Sequence, residues 1–340
     1  MLPVKLAPEK EVKTESLEEA RDFLESDFKV EYFQTSIEEI DIHEDGTITT
    51  ANKSWQYTPY FLESLAKTIK MPLNYACRID FDLFKINFDM RKQQDCCGIK
   101  LCISRNTVIN VCKSSYYPAR TVDVIKGLPQ KIKQWNLHGI LLGDRGIELS
   151  WCDENVVINP RPGDRILGGV QLSNSETGFR GLKASLFTLR LACSNGAVFS
   201  DEQQAIRWSY DQRMTYTTNI EKFCKELELL EIPCIELTNK YSSALEKLIS
   251  DREVVNLWRR IRRIVEPQRV DYILGIEGKE RLRLFEQVKR HEDPSISEPT
   301  DLNTYDIHNR ITAAAKDFSL ITKRRLEEIG GDLLWQVTLN

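Results

Sequence analysis

Four cations and three aromatic residues in the middle of the chain, Lys100, Arg105, Lys113 and Arg120 with Tyr116, Tyr117 and Trp135, are the types that single-strand nucleic-acid binders combine. Cationic side chains follow the phosphate backbone, and aromatic faces stack on bases whatever their identity. A second cluster, Trp258-Arg-Arg-Ile-Arg-Arg-Ile-Val265, falls on an expected helix. Leu257, Ile261, Ile264 and Val265 form its apolar stripe, leaving Arg259, Arg260, Arg262 and Arg263 outside it for phosphates. The competing reading is a solvated face neutralised by nearby carboxylates. Lys323-Arg324-Arg325 is weaker, because Glu327 and Glu328 balance it.

Other chemistry has less to work with. Cys193 sits in a strand-to-turn element with Arg190 three residues before it, but no histidine is near in sequence to act as its base. Asp153, Glu154, Asp164 and Glu176 fall in or beside turns of one β region and would need to converge to hold Mg²⁺. Acidic residues also favour such turns for their backbone hydrogen bonds alone. Asn174-Ser-Glu176-Thr-Gly178 and Cys193-Ser-Asn195-Gly196 each end in a glycine free to take positive φ. Exposed amides there, joined by Arg180, would cradle a phosphate; plain turn chemistry is the alternative. Neither G-x-x-x-x-G-K-[ST] nor G-x-G-x-x-G is present, and no cofactor or metal is expected.

The elements that must position these residues belong to an ordinary folded chain. It has 340 residues, 41% hydrophobic and 29% charged, which excludes a disordered or collagen-like protein. No run approaches the ~20 apolar residues of a membrane span, and the N-terminal residues lack the apolar core of a signal peptide. Nine cysteines, an odd number without that signal, read as reduced thiols in a cytoplasmic compartment. The formal charge of −4 hides an uneven spread. Residues 1–60 carry 6 Lys and Arg against 14 Asp and Glu, whereas residues 61–200 carry 19 against 12. A basic middle in an acidic chain suits a polyanion partner, unless the acidic segment packs beside it. Three regions follow: an acidic helix and hairpin segment at 1–57, a basic α+β core at 58–200 and a helical region at 201–340.

Local signals place most elements. The first fifteen residues read as loosely ordered. Ser16-Leu-Glu-Glu opens a helix to about Ser26, Asp45-Gly46 marks a hairpin, and Thr58-Pro59 opens the next helix. Residues 73–93 read as further helix, with a start at Asp80. Runs at 99–103 and 107–112 flank an Arg105-Asn106 turn. A helix from Thr121 to Gln134 is interrupted at Gly127-Leu-Pro129. Strands are expected at 139–142, 147–151, 156–158, 166–172 and within 179–193, and helices near 201–230, 237–250, 251–265, 278–290, 303–317 and 319–329. His291 to Pro299 reads as a linker.

Gly163-Asp164-Arg-Ile-Leu-Gly-Gly-Val-Gln-Leu-Ser-Asn174-Ser-Glu176-Thr-Gly178, followed by Leu189-Arg190-Leu-Ala-Cys193-Ser-Asn195-Gly196, resembles the phage- and plasmid-type family "domain of unknown function 932". Leu65 to Tyr75 and Asn309-Arg-Ile-Thr-Ala313 fit it too, so the likeness runs in order over roughly residues 55–320. It implies a mobile-element origin and a cytosolic protein, and no reaction. By analogy it suggests a β-sheet core with packed helices, like that of strand-annealing recombinases.

The expected fold is α+β, a central antiparallel sheet with packed helices and a C-terminal helical region. The expected function is non-enzymatic binding of nucleic acid, single-stranded DNA first, with homo-oligomerisation open and no membrane partner. A metal enzyme using the four carboxylates and a protein-interaction or assembly module are the alternatives.

Overall fold

The computed structural model describes residues 11–14, 16–26, 28–76, 78–93, 98–143, 145–191, 195–199, 205–276, 278–290 and 299–337. Strand β1 (Glu11–Thr14) and helix α1 (Leu17–Ser26) lead into β2 (Glu31–Ser36), β3 (Asp41–Ile42), β4 (Thr47–Thr50) and β5 (Lys53–Tyr57). Helices α2 (Pro59–Thr68), α3 (Leu73–Ala76) and α4 (Phe81–Lys92) precede the hairpin of β6 (Gly98–Ser104) and β7 (Thr107–Lys113). After α5 (Thr121–Gly127) and α6 (Gln130–Lys133) come β8 (Asn136–Gly143), β9 (Gly146–Arg161), β10 (Asp164–Asn174), β11 (Lys183–Arg190), β12 (Asn195–Val198) and β13 (Ala205–Arg207). The remainder is helical apart from one small strand pair. It comprises α7 (Tyr216–Leu229), α8 (Cys234–Glu246), β14 (Leu248–Ser250), α9 (Asp251–Arg262), α10 (Pro267–Leu274), α11 (Gly278–Arg290), β15 (Pro299–Asn303), α12 (Thr304–Ala314) and α13 (Leu320–Trp335).

The protein is α+β, but it has two large sheets where one was expected. The first runs β2-β6-β7-β5-β4-β3, with β5 parallel to β7 and the other pairs antiparallel. The second is antiparallel throughout, β1-β8-β9-β10-β11-β12, with β13 also on β11. The expected boundary at 57/58 therefore cuts through the first sheet, since β2 and β5 pair with β6 and β7. Residues 11–14 of the supposedly loose start form an edge strand on β8. The segments 147–151 and 156–158 are one strand; the register skips from Gly168↔Asp153 to Leu167↔Val157, so a bulge interrupts the pattern. Residues 291–298 of the expected linker lie outside the described residues.

Local chemistry explains the ends. Thr58 Oγ1 accepts from the Phe61 amide with Pro59 at the first helical position of α2, and Asp80 caps α4 through the Leu83 amide at 2.8 Å. Ser250 and Glu253 form a capping box on α9. Arg105 and Asn106 take φ of 48° and 59°, the two left-handed residues of a tight hairpin turn.

One core lies between the second sheet and α1, α5 and α7, where Leu149, Trp151, Val170 and Leu172 meet Leu24, Ile125 and Phe223. A second packs Phe61, Leu65, Phe84 and Phe88 of α2 and α4 against Ile48, Leu101 and Val108. The C-terminal helices hold a third around Ile261, Val270, Ile311 and Leu326.

The turn after β10 ties the two sheets together. Asn174, Ser175, Glu176 and Thr177 are all buried. The Asn174 amide donates to the Ala119 carbonyl at 2.7 Å, and Glu176 Oε1 accepts from the Thr121 amide at 2.8 Å, capping α5. Tyr32 and Tyr116 donate their hydroxyls to the Glu176 and Ser175 carbonyls, and Asn110 donates to Thr177 O. Gly178 has φ +84°, and a Cβ there would run into Cys112 Sγ of β7. Gly178→Ala is therefore expected to cost about 1–3 kcal/mol in urea unfolding. Gly181→Ala, with open space at its Cβ position, is expected within about 0.5 kcal/mol of the parent.

Candidate nucleic-acid interface

Strands β9, β10 and β11 present Leu149, Trp151, Val170 and Leu172 to the first core, and on the opposite face a polar stretch that continues into the apolar cluster of Cys152, Phe187 and Leu189. Register aligns Ser150, Gln171 and Ser185 in one row of the polar face, and Glu148, Ser173 and Lys183 in the next. In an amphipathic sheet such a face meets water. Here Glu148, Ser150, Gln171, Ser173 and Ser185 are buried, because the charged side of α13 lies over them. Gly331 lets that helix approach closely; a Cβ there would strike the Val198 carbonyl of β12.

Charges from both layers interlock. Arg180 Nη1 donates to Glu148 Oε1 at 2.9 Å, Lys323 pairs with Glu327 at 2.9 Å, and Arg324 Nε donates to Glu328 Oε1 at 3.1 Å. Burial alone would lower the Lys323 ammonium, but Glu327 and Glu148 raise it above its ordinary value. Burial pushes the Glu327 carboxyl up, with Glu148 adding to it. Lys183 is pushed down by burial, and Arg324 and Arg207 press in the same direction. Glu148 Oε2, Gln171 Oε1, Ser185 Oγ, Glu327 Oε2 and Arg324 Nη1 and Nη2 are buried without a hydrogen bond among the described residues. A buried polar atom left without a partner costs on the order of 1–3 kcal/mol.

At its edge this polar layer opens into a cavity of about 610 Å³. Lys67, Arg145, Arg180, Lys183, Arg207, Arg324 and Arg325 line it, against only Glu63 and Glu328. Three aromatic residues share the wall. Tyr60 meets Phe179 edge-on at 5.9 Å with the Arg145 guanidinium 4.1 Å over its ring, and half-buried Trp208 sits against Phe223. A second hollow of about 280 Å³, bordered by Arg260, Arg263 and Asp332, adjoins the first at Arg325 and Glu328. The two make one cationic furrow across α2, β13 beside the start of β11, α13 and the end of α9.

The residues expected from sequence are dispersed with respect to this furrow. Arg180 lines the large cavity, and Arg260 and Arg263 the smaller hollow. Arg259 instead lies over Phe285 and Arg262 over Trp258. Lys100 donates to the Tyr116 carbonyl at 2.9 Å and sits over the Tyr117 ring, which stacks on Tyr210. The Tyr116 hydroxyl is used in the buried turn. Lys113 and Arg105 are exposed at opposite ends of β7, about 20 Å apart at ordinary strand rise, and Arg120 is exposed before α5. Lys100, Arg105, Lys113, Tyr116, Tyr117 and Arg120, six residues in all, are absent from both walls.

The turn Asn174–Gly178 does not offer exposed amides to a phosphate, because it is buried between the sheets. Cys193 lies outside the described residues. Asn195 pairs with Arg190 through its backbone, and Gly196 packs beside Phe187. Arg190 forks onto Asp164 at 2.5 and 2.8 Å, and the Tyr305 hydroxyl donates to the same carboxylate. Burial opposes ionisation of Asp164, but these donors hold its carboxyl below the usual range. Asp164, Arg190 and Tyr305 thus form a lock between β10, β11 and α12. Asp164 and Asn174 end the same strand, about 33 Å apart at ordinary strand rise, so Asp164 and Glu176 cannot share a metal. Asp153 bonds Asn155 and Glu154 bonds Asn136. Among the described residues no group of three His, Cys, Asp or Glu is placed to hold a metal ion.

Lys67, Arg145, Lys183, Arg207 and Trp208 escaped the sequence reading, and Arg324 and Arg325 were discounted as balanced. A usable signal was the polar alternation Glu148/Ser150, Gln171/Ser173 and Lys183/Ser185, set against an apolar opposite face. Set against protein-family models, curated proteins and solved structures, the chain matches none of them.

His308, fully buried beside Tyr241 and Tyr305, is hydrogen-bonded through Nδ1 to the Gly330 carbonyl at 2.9 Å. Burial pushes its imidazole down to about 4. The unfolded chain then binds the extra proton first, so stability present above pH 6.5 is lost as pH falls toward 4. Chemical denaturation across this range is expected to show the parent losing stability relative to His308→Gln.

Proposed function

We propose that this chain is a non-enzymatic nucleic-acid-binding protein that holds single strands in the furrow between α2, β13 and α13. The observation that carries the reading is one open cavity with seven Lys and Arg, two Glu and three aromatic residues in its wall. Cations release the counterions of a phosphate backbone on contact, and Trp208, Phe179 and Tyr60 supply faces of the kind on which unpaired bases stack. Lys67, Arg207 and Arg325 are exposed and placed for backbone contact, while the adjoining hollow at Arg260 and Arg263 extends the track. None of the described residues of the acidic segment 11–57 lines the cavity. The likeness to the phage- and plasmid-type family adds a mobile-element setting and a cytoplasmic location to the proposal. The carboxylate enzyme is less favoured, since its four acids are tied to separate protein partners.

Fluorescence anisotropy with labelled single- and double-stranded oligonucleotides over a salt series tests this. Single strands are expected to bind more tightly, with affinity falling steeply as salt rises. Lys67→Gln and Arg325→Gln should each weaken binding of every sequence and reduce the log–log salt slope by about one. Arg105→Gln and Lys113→Gln should leave affinity within about twofold, at most a weak long-range effect. No binding at low salt, or equal losses from both pairs of variants, overturns the proposal.

A further inference from the structure

The innermost part of the furrow is built unlike the rest of it. Ser173 and Lys183 of the sheet's buried face line it, so the sheet itself closes the cavity on that side. Arg324 is in the wall with its side chain only 3% exposed, and neither of its terminal guanidinium nitrogens makes a hydrogen bond among the described residues. Arg207 and Trp208 stand at the same wall, and Trp208 Nε1 is also buried without a partner. Cations that have lost hydration in such a wall favour an incoming anion, because the anion restores part of what burial removed. Burial is the main push that lowers Lys183, with Arg324 and Arg207 adding to it against Glu328.

A strand running along the furrow presents internal phosphodiesters, each with one charge and with chain continuing on both sides. A wall closed by a sheet suits a group at which the chain stops. A phosphate monoester brings close to two charges at neutral pH and three terminal oxygens, which match a guanidinium fork and an ammonium. The cavity volume lies within the range of small-ligand sites.

Building on the reading above, we infer that this inner wall of Lys183, Arg207 and Arg324, with Trp208 beside it, is a subsite for the phosphate monoester of a nucleotide. Two sources share that chemistry, the phosphorylated end of a strand and a free mononucleotide. The furrow would then hold a strand by its backbone and register it from its terminus.

The test compares internally labelled single strands of one sequence carrying 5′-hydroxyl, 5′-phosphate or 3′-phosphate ends, and a circular strand without ends. Thermal shift with adenosine monophosphate against adenosine covers the free nucleotide. A phosphorylated end is expected to bind about tenfold more tightly than hydroxyl-ended and circular strands, and the preferred end identifies the polarity. Lys183→Gln should bring that ratio near one and Lys183→Arg should restore it. Arg207→Gln, at an exposed position, gives the same readout if Lys183→Gln does not fold. A shift in Tm with adenosine monophosphate but not adenosine, without binding of any strand, supports the subsite and overturns the furrow reading. Equal affinity for all strands, with no effect of the mononucleotide, overturns the subsite and leaves the furrow reading standing. No response to any of these probes overturns both.

Discussion

A sheet covered on both sides, with an apolar core under one face and a buried polar stretch on the other, sets the terms for the rest of this molecule. Strands β9 to β11 bury Leu149, Trp151, Val170 and Leu172 in an ordinary core. Their opposite face carries Glu148, Gln171, Ser173 and Ser185, which are equally shut away from water. Only a helix with its own charges can lie on such a face, and α13 does so with Lys323, Arg324 and Glu327. A buried ion-pair layer of this kind contributes little net stability, because desolvation offsets the attraction between the charges.

The features that looked most like chemistry in the sequence hold that arrangement in place. The buried turn at Asn174–Gly178 joins the two sheets and caps α5. The fork from Arg190 to Asp164, with Tyr305, fastens β10 and β11 to α12. Both are polar clusters in which nearly every donor has an acceptor, and such clusters specify one packing arrangement more than they add energy. They sit at opposite ends of β10, so that strand is fixed at both ends, and the furrow meets it at Ser173 beside the Asn174 end. The cavity in turn draws on α2, β11, β13 and α13, which no short stretch of chain brings together.

Much of the element order was legible. Capping at Thr58, Asp80 and Ser250, the Asp45-Gly46 and Arg105-Asn106 turns, and the break at Gly127-Leu-Pro129 act within a few residues, so their signals are local. Strand β2 escaped notice because Glu31–Ser36 shows no clean alternation, and β1 because four residues carry too little pattern. The strand β9 looked like two because its bulge shifts the phase of the alternation. For the candidate site, residue types were legible and membership was not. Lys100 and Tyr116 have the composition of a binding surface but find their partners inside the protein. Arg324 looked neutralised by Glu328, yet that pairing occupies only its Nε, and the two terminal nitrogens are buried without a hydrogen bond among the described residues.

Composition and short-range pattern by themselves determined that this is an α+β chain with no helix fit to cross a membrane, a surplus of cations in its central third and well-marked turns and caps. Such properties depend on residues within one or two turns of each other, where backbone geometry dictates who meets whom. Which cations share a wall, which polar face is roofed over and which motif is buried were decided only by tertiary structure. Those outcomes turn on pairing between strands and helices far apart in sequence, and on the burial that sets the electrostatic worth of each charge.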